Sequence, residues 1–171
     1  MSATESNIIV RLFDDDGRFP NNADLPLVII TSALEKESVT PEKLERTFTQ
    51  NGWPAAWRNG LYDFHHYHST AHEVLGVYSG WVKACFGGPE GEVFKAEAGD
   101  IIIIPAGVAH CNKGQSSDFS VVGGYPVDQG WDMMYGKEGE RPGADDNIKN
   151  ISKVISDPVF GPTGPLMKFW T

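Results

Sequence analysis

The sequence is poor in basic residues, contains few cysteines and lacks any long apolar run. Its 171 residues include 14 Lys and Arg against 23 Asp and Glu, a formal net charge of −9. This shortage of positive charge argues against a nucleic-acid partner, because the phosphate backbone is bound mainly by clustered Lys and Arg. No stretch of the chain approaches the roughly 18 consecutive apolar residues that a transmembrane helix requires, so we expect no membrane partner.

The two cysteines, Cys85 and Cys111, are too few for a disulfide framework. The first residues show no basic segment followed by an apolar one, which is the pattern of a secretory signal. We therefore expect a cytoplasmic protein. Apolar residues make up 40% of the chain, and a chain of this length suits one compact domain spanning residues 1–171.

Short apolar segments separated by turns that contain Gly and Pro dominate the chain. This spacing is typical of β-sandwiches and barrels, and it predicts an all-β fold. The predicted strands cover residues 8–13, 27–31, 61–69, 73–78, 81–86, 93–96, 101–105 and 119–125.

One or two short helices are expected to flank the strands. Thr40 is a plausible N-cap, and Pro41 suits the first position of a helix that runs to about Asn51. Isoleucines at helical spacing predict a second helix within residues 147–158. The C-terminal extension 126–171 begins with a polar, Gly-rich segment, 126–146, which we interpret as an ordered excursion or lid.

A cluster of histidines with one glutamate is the strongest functional signal. Side chains alternate between the faces of a strand, so His66 and His68 project from the same face. A turn would bring Glu73 back beside them, and the turn at residues 105–107 would deliver His110. Three imidazoles and one carboxylate are a ligand set for a divalent transition metal, with positions left open for substrate.

Two other histidines compete for this assignment. His72 replaces Glu73 if a β-bulge exchanges the faces of the strand. Regular alternation turns both His72 and His65 away from the proposed site.

These residues resemble the two sequence motifs of the cupin superfamily. The first motif is filled by Gly60, His66, His68, Glu73 and Gly80. The second is filled by Gly99, Pro105, Gly107 and His110, but its final Asn position holds Gly114, with Asn112 two residues earlier. The flanking segments resemble a YjlB-like group of bacterial cupins that brings no established reaction.

The resemblance implies a cupin-type double-stranded β-helix, or jelly-roll barrel, with the motif core at residues 60–114. It also implies one metal ion (Fe, Mn, Ni, Co or Zn) in the mouth of the barrel. Many cupins form homodimers, so outward strand residues such as Tyr67 and Val74 are expected to bury against a second subunit.

Two functions stay open: a divalent-metal-dependent enzyme acting on a small molecule (a dioxygenase, isomerase or lyase), and a non-catalytic protein that binds or senses a small ligand. Arg58 is either a substrate-carboxylate ligand or a surface residue, and with Trp53 and Trp57 it precedes the first motif. Candidate substrate-binding residues are Tyr62, Phe64, Tyr78, Cys111 and Tyr125.

Overall fold

Two antiparallel β-sheets and three short helices form the part of the chain that the computed structural model describes, residues 7–171. The strands are β1 (Ile8–Phe13), β2 (Asn22–Ile30), β3 (Ala55–Asn59), β4 (Glu73–Ser79), β5 (Trp81–Phe86), β6 (Glu92–Glu97), β7 (Ile101–Ile104), β8 (His110–Gln115) and β9 (Ser120–Gly124). The helices are α1 (Pro41–Gln50), α2 (Gly143–Lys149) and α3 (Leu166–Phe169). A sheet of six strands, ordered β1-β2-β7-β4-β9-β3, faces a sheet of three, ordered β6-β5-β8.

The large sheet is buried on both of its faces. On its inner face, Leu75 of β4 and Ile102 of β7 pack with Val82 and Phe86 of the small sheet. Its outer face is covered by α1 and the C-terminal residues. This double burial explains why β7 consists of four consecutive isoleucines, since a strand covered on both faces does not alternate in polarity.

Helix α1 begins and packs as the sequence predicts. Thr40 is its N-cap, and its hydroxyl accepts a hydrogen bond from the Lys43 amide at 3.1 Å. Leu44 and Phe48, four residues apart, are fully buried against the outer face of the large sheet.

Two predicted elements differ in the structure. Residues 61–69 do not form a strand, because only His66 and Tyr67 make bridges, to His110 and Met134 respectively. The sequence pattern does not predict β3 or the strand character of β8. The second helix lies earlier than predicted, at α2. Ile155 is 85% exposed, so it does not pack on a helical face as its spacing predicts.

The outward residues expected at a subunit interface are covered by the chain itself. Val74 packs in the outer cluster with Trp53, Leu166 and Trp170, and is fully buried. Tyr67 is also fully buried. The C-terminal extension therefore covers the surface that the resemblance assigns to a partner subunit. No helix within residues 7–171 combines the length and apolar character needed to cross a membrane.

Candidate metal centre

Three buried histidines converge at one end of the space between the two sheets. His66 and His68 lie on the irregular segment before β4, and His110 is the first residue of β8. The backbones of His66 and His110 exchange two hydrogen bonds, of 3.2 and 2.9 Å. One ring nitrogen of each histidine lies within 4.8 Å of those of the other two, as a shared metal ion requires.

The outer nitrogen of each ring is held by a backbone carbonyl. His66 Nδ1 lies 3.0 Å from the Phe64 carbonyl oxygen, and His110 Nδ1 lies 3.0 Å from that of Val108. His68 Nδ1 lies 2.5 Å from the carbonyl oxygen of Asp132. A carbonyl only accepts, so each Nδ1 carries a proton, and in the neutral imidazole each Nε2 presents a lone pair to the centre. Such outer hydrogen bonds are typical of metal-ligating histidines.

Glu73 brings a buried carboxylate to two of these histidines. It is the first residue of β4, and its oxygens lie 3.3 Å from His110 Nε2 and 3.6 Å from His68 Nε2. Since neutral Nε2 atoms and carboxylate oxygens are all acceptors, this arrangement is stable only with a cation among them, either a metal ion or a proton. The donor set therefore fits a divalent metal.

The pKa shifts indicate that positive charge in this site is favoured at His68, beside Glu73, and disfavoured at His66. Burial lowers the pKa of His66 to about 3, and nearby His110 adds to the effect. Burial also opposes charge on His68, but the Glu73 carboxylate outweighs it and raises the pKa of His68. Although burial alone would raise it, the pKa of Glu73 is lowered by His68 and His110. The metal-free site therefore keeps Glu73 ionised and favours a proton on His68.

Gly107 shapes the turn that brings His110 to the cluster. Its φ is +96°, and a Cβ at this position would lie 2.2 Å from the carbonyl oxygen of Asn21. Its amide donates to the His68 carbonyl at 2.8 Å. Only glycine combines this backbone conformation with so close an approach, so the motif position has a direct physical reason.

His72 and His65 lie apart from the three-histidine cluster. His72 is buried on the outer side, where its ring packs 4.6 Å from that of Trp170 and its Nδ1 accepts from the Ala106 amide at 2.8 Å. His65 packs near Phe19, with ring centroids 5.8 Å apart. Neither imidazole contacts Glu73, so no bulge exchanges the two faces at residue 73.

A cavity of about 520 Å³ opens onto the histidine cluster. Besides the cluster itself, the lining residues are Trp57, Asn59, Gly60, Leu61, Tyr62, Leu75, Gln115, Phe119, Tyr125, Trp131 and Met133. The Tyr125 hydroxyl accepts a hydrogen bond from Trp57 Nε1 at 2.9 Å. Burial, together with Glu73 nearby, raises the pKa of Tyr125, so its hydroxyl keeps its proton.

The structure brings only some of the predicted pocket residues to this cavity. Tyr62 and Tyr125 line it. Phe64 does not, and stacks on the outer side of Tyr62 with centroids 4.9 Å apart. Tyr78 packs with the outer cluster, and Cys111 follows His110 on β8, so its side chain points to the opposite face.

Of the three residues singled out before the first motif, only one lines the cavity. Trp57 lines the cavity, whereas Trp53 is part of the outer core. Arg58 is a surface residue, because its guanidinium pairs with Glu45 at 2.7 Å and Glu42 at 3.4 Å on α1.

Sequence reasoning missed the contributions of the 126–146 segment to the site. Trp131 and Met133 line the cavity, and between them Asp132 holds His68. Nothing in the local pattern marks these residues, because they belong to an irregular segment. The only signal was the polar, Gly-rich composition that suggested a lid.

Fold and site together define a double-stranded β-helix protein with a histidine-rich centre suited to a divalent metal. A family model described as Cupin matches residues 58–127. The uncharacterized protein YjlB of Bacillus subtilis (strain 168) is 39% identical over 158 residues, which are 92% of this chain and 93% of that protein. The chain therefore belongs to the cupin superfamily and is a YjlB-like cupin.

Solved structures of lower similarity were also found. Acireductone dioxygenase from Bacillus anthracis, with a cadmium ion in its active center, is 18% identical; the match covers 77% of this chain and 84% of that one, with a TM-score of 0.41. An uncharacterized Klebsiella pneumoniae protein with a double-stranded beta-helix domain is 19% identical over 79% of this chain and 85% of that one, with a TM-score of 0.34.

Proposed function

We propose that this cupin binds one divalent transition metal and is a metal-dependent enzyme acting on a small molecule. The proposed ligands are His66, His68, Glu73 and His110. The observation that carries the proposal is the convergence of three Nε2 lone pairs and a buried carboxylate beneath an open cavity. Four protein ligands leave coordination positions free on an octahedral ion, and free positions are typical of catalytic metal sites.

The metal would supply Lewis-acid polarisation or, if it is iron, dioxygen chemistry. The chain's own residues bind and orient the substrate, and they exclude water from it. Leu75 and Phe119 contribute apolar surface to the cavity wall, which disfavours water there. Tyr125 keeps its proton and serves as a hydrogen-bond donor close to Glu73. Dioxygenase, isomerase and lyase chemistry all suit this arrangement, and the identity of the metal chooses among them.

The alternative function is binding or sensing without turnover. One feature supports it: apart from the three histidines and Glu73, the only titratable side chains lining the cavity within residues 7–171 are Tyr62 and Tyr125. A reaction would then depend on the metal, Glu73 and these two hydroxyl groups for proton transfer.

Metal analysis and oxygen uptake separate these functions. The metal content of protein purified without added metal is measured by elemental analysis, and the ion is identified in crystals by anomalous scattering. Oxygen consumption is then measured with a substrate panel for wild type, His68→Ala and a matched control, His65→Ala. We expect His65→Ala to behave as wild type and His68→Ala to be inactive. Metal-replete protein that is inert across oxygen uptake, isomerase and lyase assays would establish the binding function instead.

We also propose that the chain is one domain and that it acts in the cytoplasm. A homodimer remains a proposal based on the resemblance to cupins. The outward residues Tyr67 and Val74 are covered within one chain, so a dimer must use another surface.

A further inference from the structure

The charge of the cavity restricts the ligands that it accepts. Within residues 7–171, neither lysine nor arginine lines the cavity, and Glu73 is its only acidic residue. If the proposed divalent metal is bound, its two positive charges and the Glu73 carboxylate leave one net positive charge. A ligand with one anionic group neutralises this charge. A second anionic group would find no cationic side chain on the cavity walls, so moving it out of water would be unfavourable.

The walls of the cavity restrict the shape of the ligand. Five of the lining side chains are aromatic: Trp57, Tyr62, Phe119, Tyr125 and Trp131. Trp131 stacks on Tyr125 with ring centroids 4.5 Å apart and an angle of 9° between the rings. Flat aromatic walls favour a flat apolar partner, because stacked rings attract each other beyond the gain from burying their area.

The size of the cavity is consistent with such a partner. Its volume of about 520 Å³ lies within the range of roughly 300–1,000 Å³ that small-molecule pockets occupy. The lining adds the aliphatic side chains of Leu61, Leu75 and Met133, and uncharged amides only at Asn59 and Gln115. Few polar groups are therefore available for a highly hydroxylated molecule such as a sugar, whose unpaired hydroxyls would be costly to bury.

We propose that the ligand of this cavity is a planar aromatic molecule with a single anionic oxygen group, such as a monocarboxylate or a phenolate. The anionic group would face the histidine cluster, and the ring would lie against the face of Trp131 that does not stack on Tyr125. This inference rests on the proposed metal site. It excludes phosphate esters, dicarboxylates and non-planar rings as preferred ligands.

Calorimetric titration of zinc-loaded protein tests the proposal without requiring turnover. Elemental analysis first establishes one zinc per chain, and failure at this step counts against the proposed metal site rather than the ligand class. Four probes are then compared: benzoate, cyclohexanecarboxylate (equal charge, non-planar), phthalate (planar, two charges) and phenyl phosphate (planar, two charges at neutral pH). We expect benzoate to bind at least tenfold more tightly than the other three, and to lose binding in the metal-free protein.

Variants of two tryptophans locate the binding. Trp131→Ala is expected to weaken benzoate binding by about threefold to tenfold, the equivalent of one aromatic stacking contact. Trp81→Ala is the control, because Trp81 lies on β5 beside Lys95 and does not line the cavity. The proposal is overturned if zinc-loaded protein does not bind millimolar benzoate, if any other probe binds equally well, or if Trp131→Ala binds like wild type.

Discussion

Asp132 is expected to control metal affinity although it is not a ligand. Its carbonyl oxygen accepts from His68 Nδ1 at 2.5 Å. Its carboxylate anchors the same carbonyl to the segment after His68, accepting from the Ser69 amide at 2.6 Å, the Ser69 hydroxyl and the Thr70 amide at 3.3 Å. Replacing this carboxylate releases the carbonyl that holds the His68 ring, so His68 loses its fixed orientation.

The size of the effect follows from these contacts. Loss of an outer hydrogen-bond partner of a ligating histidine typically costs about 10–100-fold in metal affinity, equivalent to about 1.4–2.7 kcal/mol. We expect a loss in this range for Asp132→Ala. Asp132→Asn keeps an oxygen that accepts from the Ser69 amide but loses the charge, so its loss should be smaller. Leaving the Ser69 amide unpaired should also lower stability by about 1–3 kcal/mol.

Competition with a chromophoric chelator measures the affinity, and the visible spectrum of cobalt-substituted protein reports the ligand geometry. Glu138→Ala is the control, since Glu138 is an exposed residue of the same segment. We expect Asp132→Ala to change both the affinity and the spectrum, and Glu138→Ala to change neither. A folded Asp132→Ala protein with wild-type affinity and spectrum would refute the reasoning.

Further predictions concern the ligands and the packing of α1. His66→Ala should lose most bound metal, and one full equivalent by elemental analysis would contradict its assignment. Glu73→Gln should weaken metal binding whereas His72→Ala should retain it; the reverse result would show that the two residues exchange faces in solution. Because metal must displace a proton from His68, whose pKa is raised, affinity in chelator competition should fall as the pH drops through that pKa, and a flat pH profile would contradict this coupling. Leu44→Ala should destabilise the protein by about 2–5 kcal/mol in denaturant titrations, since Leu44 is fully buried, and a change below that range would show that α1 packs loosely.

Local sequence patterns were sufficient for the elements whose partners are close in sequence. The capping residues and apolar spacing of α1 depend on interactions within one helix, so its bounds were predicted almost to the residue. Strand β5, between two turns, was predicted at Trp81–Phe86 as observed. By contrast, residues 61–69 look like a strand, but they lack a continuous neighbouring strand with which to form a ladder.

Part of the histidine arrangement follows from residue spacing in the sequence, and part depends on tertiary contacts. The spacing of His66 and His68 places both rings on one side of an extended segment even without a regular strand. The sequence also predicted the side of β4 on which Glu73 lies, because strand alternation is a property of the backbone. It did not predict that His72 would be buried by Trp170, nearly a hundred residues away in the sequence.

The sequence by itself determined the family, the main β character and a short set of candidate ligands, because these depend on residue types at close spacing. The tertiary structure decided which side chains share the cavity. Phe64, Tyr78 and Cys111 lie elsewhere, whereas Trp131 reaches the cavity from an irregular segment. The same segment supplies Asp132 to His68. Such long-range contacts depend on how the C-terminal extension packs over the barrel, and no local pattern encodes that path.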